Sequence, residues 1–323
     1  TGSGKTTQVP QILFDSQLID GEIIVLQPRR LAARLVARRI AEERGVALGG
    51  LVGYQTRHDQ QTSAETRILF LTEGLFLRRL QSDPQLRRVG AVLLDEFHER
   101  SLAADMSLGL VRQLQETSRP DLLLIPMSAT LDAGALSSWL SCPVLGAEGR
   151  AYPVDIRYRP AGPQAAPWQA ATDALNELLQ SEGEGDILVF MPGAYEIRRT
   201  IQCMQEQIDR REGLAFHPLY SALPADEQDA ALKPGPQRRV IVSTNVAETS
   251  ITIEGIRHVI DSGLARVHRH DPRRGIDALL IENISRAASE QRAGRAGRTA
   301  PGTCTRLDRK STRLNSSHLV ISY

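Results

Sequence analysis

The chain has 323 residues, a formal net charge of +1, 41% hydrophobic residues and 4% aromatic ones. That length accommodates two α/β units of about 150 residues each, and the near-neutral balance excludes a bulk polycation, so any anion site must be local. Cys142, Cys203 and Cys304 are far apart and lack metal-ligand spacing, which fits a reducing compartment, the cytoplasm by expectation; no apolar run reaches the roughly 18 residues of a membrane helix, so no membrane association is expected.

In chain order, "TGSGKTT" comes first. Gly4, Lys5 and Thr6 match the last three positions of the phosphate loop G-x-x-x-x-G-K-[ST], whose first glycine would fall two residues before Thr1. The chain is therefore expected to begin inside that loop. Lys5 is one of only three lysines, the others being Lys233 and Lys310, in a sequence that otherwise carries its basic charge as arginine. A compact ammonium is the group that reaches between phosphates.

"EIIVLQP" (22–28) then predicts a strand, and "RRLAARLVARRIAEERG" a helix that stops at Gly45. The same beat recurs in "RILFLT" with "EGLFLRRLQ", in "AVLLDE" with "LAADMSLGLVRQLQE", and in "LLLIPMSAT" with "LDAGALSSWL". These near-continuous apolar runs predict parallel strands covered on both faces, with polar clusters at their carboxyl ends, where such sheets bind ligands. A Pro/Gly/Ala-rich stretch over 151–167 reads as a linker between a first domain (1–150) and a second (168–308). The second runs helix, "DILVFMPG", helix, "LAFHPL", "RRVIVSTN" and "HVIDSG", with a hairpin over 265–281 turning at 271–275. Residues 309–323, "RKSTRLNSSHLVISY", break the rhythm and read as a non-native tail.

Two further clusters carry chemistry. In "LLDEFHERS", Asp95 and Glu96 follow a strand directly; adjacent acids on such an edge can serve a Mg²⁺ ion (Asp95) and a hydrolytic water (Glu96). In "SEQRAGRAGR", Arg292, Arg295 and Arg298 recur at three-residue steps in a helical context, a spacing that can aim guanidinium groups at a transferring phosphoryl group. Taken singly, each cluster has a plainer reading: a glycine turn before a helix, solvated acids capping a strand, a basic helix against solvent or a phosphate backbone.

Together with "QPRRLAA" (27–33), "TEG" (72–74), "SAT" (128–130), "FMPGAYEI" (190–197) and "STNVAETSITIEG" (243–255), these clusters resemble the DEAH-type superfamily 2 helicases over essentially residues 1–307. "DEFHERSL" and the hairpin text are most similar to the bacterial HrpB-type ATP-dependent RNA helicases, here as a fragment. The resemblance implies an α/β fold of two tandem RecA-like domains, each a mainly parallel sheet flanked by helices, and ATP with Mg²⁺ as cofactors. It places Gly2, Ser3, Gly4, Lys5, Thr6 and Thr7 on the phosphates, with Thr6, Asp95 and Glu96 at the metal. Arg39 and Glu254 would contact the nucleotide, although Leu232 stands where the family often has a base-stacking aromatic. Glu96, Gln291, Arg295 and Arg298 would be catalytic, and Arg292 structural. His98, Ser128 and Thr130 would couple that site to single-stranded RNA, with DNA as an alternative, held by Arg30, Thr72, Thr244 and Asn245. The implied activity is ATP-driven translocation or unwinding, 3′ to 5′. The rival from another class is an ATP-gated RNA or RNP clamp that does not unwind processively.

Overall fold

The computed structural model describes residues 3–128, 133–147, 149, 152–162, 165–181, 183–208, 213–248, 253–271 and 275–309. Gly2, Thr130 and the tail from 310 onward lie outside them. The chain divides into two compact units, Thr1–Gly149 and Arg150–Tyr323.

The first unit runs α1 (Lys5–Asp15), β1 (Glu22–Gln27), α2 (Arg30–Glu43), β2 (Val52–Gln55), β3 (Gln60–Gln61), β4 (Ile68–Thr72), α3 (Glu73–Ser82), β5 (Val89–Leu94), α4 (Leu102–Thr117), β6 (Leu123–Pro126) and α5 (Ala133–Leu140). Its sheet has the order β3-β2-β4-β1-β5-β6 and is parallel except for the short β2–β3 pair. Alternation along β1 explains why both faces are covered. Ile24 and Leu26 join Phe76 and Leu80 of α3 and Leu108 and Val111 of α4, whereas Ile23 and Val25 join Val36, Ala37 and Ile40 of α2. Each such aliphatic side chain contributes about 1.5–3 kcal/mol on burial, so a central strand apolar on both faces anchors the unit.

The second unit runs β7 (Val154–Tyr158), α6 (Pro167–Ser181), β8 (Asp186–Phe190), α7 (Ala194–Gln207), β9 (Leu214–Leu219), α8 (Ala225–Leu232), β10 (Arg238–Ser243), β11 (Ile256–Asp261), β12 (Leu264–Asp271), β13 (Ile276–Asn283), α9 (Arg286–Ala293) and β14 (Gly302–Arg306). Its sheet, β7-β14-β11-β8-β10-β9, is parallel throughout, and β12 and β13 form the antiparallel hairpin from Leu264↔Asn283 to Asp271↔Ile276.

The stretch expected as a linker differs from that reading. Within it, Val154–Tyr158 is the edge strand β7, in register with β14 from Gly302↔Val154 to Arg306↔Tyr158. Pro153 and Pro160 flank a five-residue run with two charges, so composition masks a strand defined by a partner far along the chain. In each sheet the parallel strands end on one edge; that of the first unit carries Thr72, Asp95 and Ser128, and that of the second, by itself, carries Thr244 and Asn245.

Candidate nucleotide-binding and catalytic site

In the first unit the site forms where β1, β4, β5 and β6 end. Gly4 is the N-cap of α1 in the left-handed region (φ 74, ψ 12), a conformation glycine adopts without Cβ strain. No side chain caps the helix, so its leading amides and the positive end of its dipole face outward, the usual arrangement for a bound phosphate. Thr7 Oγ1 donates to the Gly4 carbonyl at 3.0 Å, a tie that tightens the turn. Lys5 Nζ donates to the carbonyl oxygen of Ser128 beyond β6. Thr6 Oγ1 donates to Asp95 Oδ2 at 2.8 Å, and Gln27 Nε2 donates to the same oxygen at 2.7 Å.

Asp95 is 5% exposed. Burial and the neighbouring Glu96 charge push its carboxyl up to about 7, against the hydrogen bonds from Gln27 and Thr6 that lower it. The residues present fit a magnesium nucleotide: a hydroxyl and a carboxylate already share a hydrogen bond, a loop lysine stands beside them, and the acid is buried at the end of a strand.

Glu96 stands in the left-handed region at φ 50, ψ 36. Its neighbours explain how: Asp95 N–H donates to the Leu26 carbonyl and Phe97 N–H to the Met127 carbonyl, both at 3.0 Å, clamping the turn between β1 and β6. A non-glycine residue there costs of order 1–3 kcal/mol and persists only where surrounding structure imposes it. His98 Nδ1 lies 3.5 Å from Glu96 Oε2. Arg29 pairs with Glu99 through Nη1–Oε1 at 2.9 Å and Nη2–Oε2 at 3.0 Å, joining the start of α2 to the turn after β5. Ser101 Oγ donates to Glu73, whose carboxyl burial pushes above the ordinary range. Arg30 is exposed and Thr72 half-buried on the same edge. Arg39 lies on α2 and pairs with Glu43 at 2.7 Å.

In the second unit the arginine cluster differs from the expected helical row. Helix α9 ends at Ala293, with Gly294 as C-cap, so Arg295 and Arg298 lie beyond it. The two glycines are not helix-interior residues. A Cβ at Gly297 would fall 2.5 Å from the Tyr152 carbonyl oxygen, so that glycine permits a close backbone approach. Arg292 is fully buried: its Nε donates to Glu248 Oε2 at 2.9 Å, its Nη1 to Asp261 Oδ1 at 2.8 Å, and its guanidinium lies 4.8 Å from the Phe190 ring centroid. Burial opposes the charge, but Asp261 and Glu248 outweigh it and hold Arg292 above its ordinary value. Arg295 is 4% exposed and donates to the Glu248 carbonyl through Nε at 2.8 Å and through Nη2. Arg298 and Gln291 are half-buried.

Thr244 caps a short 3-10 turn by accepting from Val246 N–H, and Asn245 beside it is exposed. Glu254 is exposed, and its carbonyl accepts from Arg239 Nη2 at 2.6 Å. Leu232 ends α8 and offers no ring. Gln27, Glu99 and Glu248 are the site-forming residues without an assigned role in the sequence reading. All three lie in quoted motifs, but only strand register brings Gln27 to Asp95.

Both units are RecA-like α/β folds. Residues 1–137 match the DEAD/DEAH box helicase family and residues 170–300 the helicase conserved C-terminal domain, and the chain belongs to the DEAD/DEAH box helicases. Among individual proteins, it is 46% identical over 312 residues to the ATP-dependent RNA helicase HrpB of Escherichia coli, across 95% of this chain and 38% of that protein. It is 42% identical over 324 residues to the pre-mRNA-splicing factor ATP-dependent RNA helicase prp22 of Schizosaccharomyces pombe, covering 98% of this chain and 28% of that one. The crystal structure of Escherichia coli DEAH/RHA helicase HrpB superposes with a TM-score of 0.90 at 43% identity, over 97% of this chain and 40% of that chain. The chain thus spans less than half the length of these relatives.

Proposed function

We propose that the chain is the motor part of an ATP-dependent RNA helicase or translocase that moves 3′ to 5′ along single-stranded RNA. The observation that carries this reading is the Thr6–Asp95–Gln27 cluster with Lys5 beside it, on the carboxyl edge of a parallel sheet. Gly2, Ser3, Gly4, Lys5 and Thr7 would hold the phosphates, while Thr6 and Asp95 would hold Mg²⁺ together with Glu96. Bound Mg²⁺ supplies charge neutralisation on the phosphate oxygens.

Glu96 orients and deprotonates the attacking water, assisted by Gln291. Arg298 stabilises charge on the transferring phosphoryl group; Arg295 shares that role if it leaves the Glu248 carbonyl. Arg39 and Glu254 contact the nucleoside. His98, Ser128 and Thr130 couple the state of this site to RNA, which Arg30, Thr72, Thr244 and Asn245 grip by its backbone without reading sequence.

The test is ATP turnover with and without single-stranded RNA, together with strand displacement from duplexes carrying a 3′ or a 5′ overhang. Turnover should rise with RNA, and displacement should require the 3′ overhang. RNA-independent turnover would refute the motor reading, and displacement from 5′ overhangs alone would refute the direction.

A further inference from the structure

The opposite edge of the first sheet carries a second concavity. A cavity of about 420 Å³ is lined by Gly21, Glu22, Ser63, Thr66, Arg67, Arg79 and Arg88 among others. Gly21 and Glu22 open β1, Ser63, Thr66 and Arg67 lead into β4, and Arg88 precedes β5, so the cavity lies at the amino ends of the strands. At about 3.3 Å per residue, the six residues of β1 put it roughly 20 Å from the edge that holds Asp95.

Its charge is unbalanced. The single carboxylate in the lining, Glu22, is already taken by Arg79, Nη2 to Oε2 at 2.5 Å, with the two side chains 14% and 27% exposed. Arg67 is tethered through Nε to the Gly21 carbonyl at 3.0 Å and lies over the Phe14 ring at 5.8 Å, which leaves its two Nη groups without a hydrogen-bond partner among the described residues. Arg88 makes no side-chain hydrogen bond or ion pair among the described residues. Two guanidinium groups without a carboxylate partner among the described residues thus line one concavity, where a dianion can accept from both.

The backbone helps hold this arrangement. Glu22 N–H donates to the Arg88 carbonyl at 2.7 Å, and a Cβ at Gly21, where φ is +96, would fall 2.5 Å from that same carbonyl oxygen. The turn that brings Arg88 beside β1 therefore requires glycine at 21.

We propose that this cavity is a binding site for a small phosphate-bearing anion. Arg67 and Arg88 take the phosphate oxygens through paired N–H groups, and Ser63 Oγ supplies a further donor. The volume lies in the range of small-molecule sites and exceeds what a lone phosphate fills, so an organic phosphate of about mononucleotide size is the class of ligand. The site is separate from the nucleotide loop and does not depend on the function proposed above.

The test removes the competing loop. Inorganic pyrophosphate is titrated calorimetrically into Lys5→Ala protein, alone and combined with Arg67→Glu, Arg88→Glu, Ser63→Asp or, as a neighbouring control outside the lining, Arg87→Glu. Arg67 and Arg88 are exposed, so their reversal spares the core, and an unchanged thermal midpoint identifies the folded variants. Affinity should survive Lys5→Ala and Arg87→Glu and fall at least about tenfold in each of the three lining variants. Loss of binding in Lys5→Ala alone, or binding indifferent to Arg67, Arg88 and Ser63, overturns the proposal. So does displacement of pyrophosphate by a short single-stranded RNA with the same dependence on Arg88, which would assign the cavity to a nucleic-acid backbone.

Discussion

Glu96 is held in place by its neighbours' backbones: the amide of Asp95 bonds to β1 and that of Phe97 bonds beyond β6, so the residue between them takes up a left-handed turn. Such a fixed carboxylate suits a group that must meet a water without rearranging. Glu96→Gln keeps the size and the turn but removes the base. Steady-state ATP turnover should fall by about 100-fold or more, while ATP affinity measured by calorimetry survives; unchanged turnover would remove Glu96 from the role of base. Lys5, Thr6 and Asp95 were legible in the sequence because their chemistry is spelled contiguously beside glycines or at the end of an apolar run. Gln27 was not. Its contact with Asp95 depends on β1 lying beside β5, with Leu26 opposite Leu94, and no local spacing encodes that neighbour.

At the scale of the element, α9 shows how a three-residue arginine spacing can mislead. The spacing predicted one helical row, yet the helix stops before the second arginine because Gly294 caps it and Gly297 admits the Tyr152 backbone. Each arginine then meets a different environment, and Arg292 becomes the buried counter-charge of Glu248 and Asp261. Arg292→Met should strand both carboxylates and destabilise the fold by about 3–5 kcal/mol, read from denaturant melts. Arg298→Ala should cost under about 1 kcal/mol in the same melts while reducing RNA-stimulated turnover. Equal stability losses in the two variants would contradict this division of labour. The arginines were legible as a cluster; their division was not, since it depends on where two glycines let the backbone turn.

Across the whole molecule, the alternation of apolar runs and helical patterns foretold two parallel sheets, because a strand covered on both faces announces itself in composition. Strands β2, β3, β7 and β14 escaped that reading: they are short, partly polar or at an edge, and β7 and β14 pair with each other across most of the second unit. The nucleoside end of the proposed ATP site carries a prediction at this scale. On the proposal that Leu232, which ends α8, stands at the base-stacking position, kcat/KM for ATP, GTP, CTP and UTP should agree within about 100-fold. A larger preference for ATP would reveal a base-reading contact elsewhere.

Strand β7 has a consequence for biosynthesis. Among the described residues its one sheet neighbour is β14, and Tyr158 and Arg306, which end the two strands, are separated by 148 positions. At about 5–20 residues per second, β7 waits roughly 7–30 s on the ribosome before its partner has been made. During that interval it is a strand without a sheet. Asp155 and Arg157 alternate with Val154, Ile156 and Tyr158, so one face of the waiting segment is charged, which discourages pairing with neighbouring nascent chains. Slow codons ahead of β14 would lengthen that exposure, whereas slow codons after it would leave the second unit free to close.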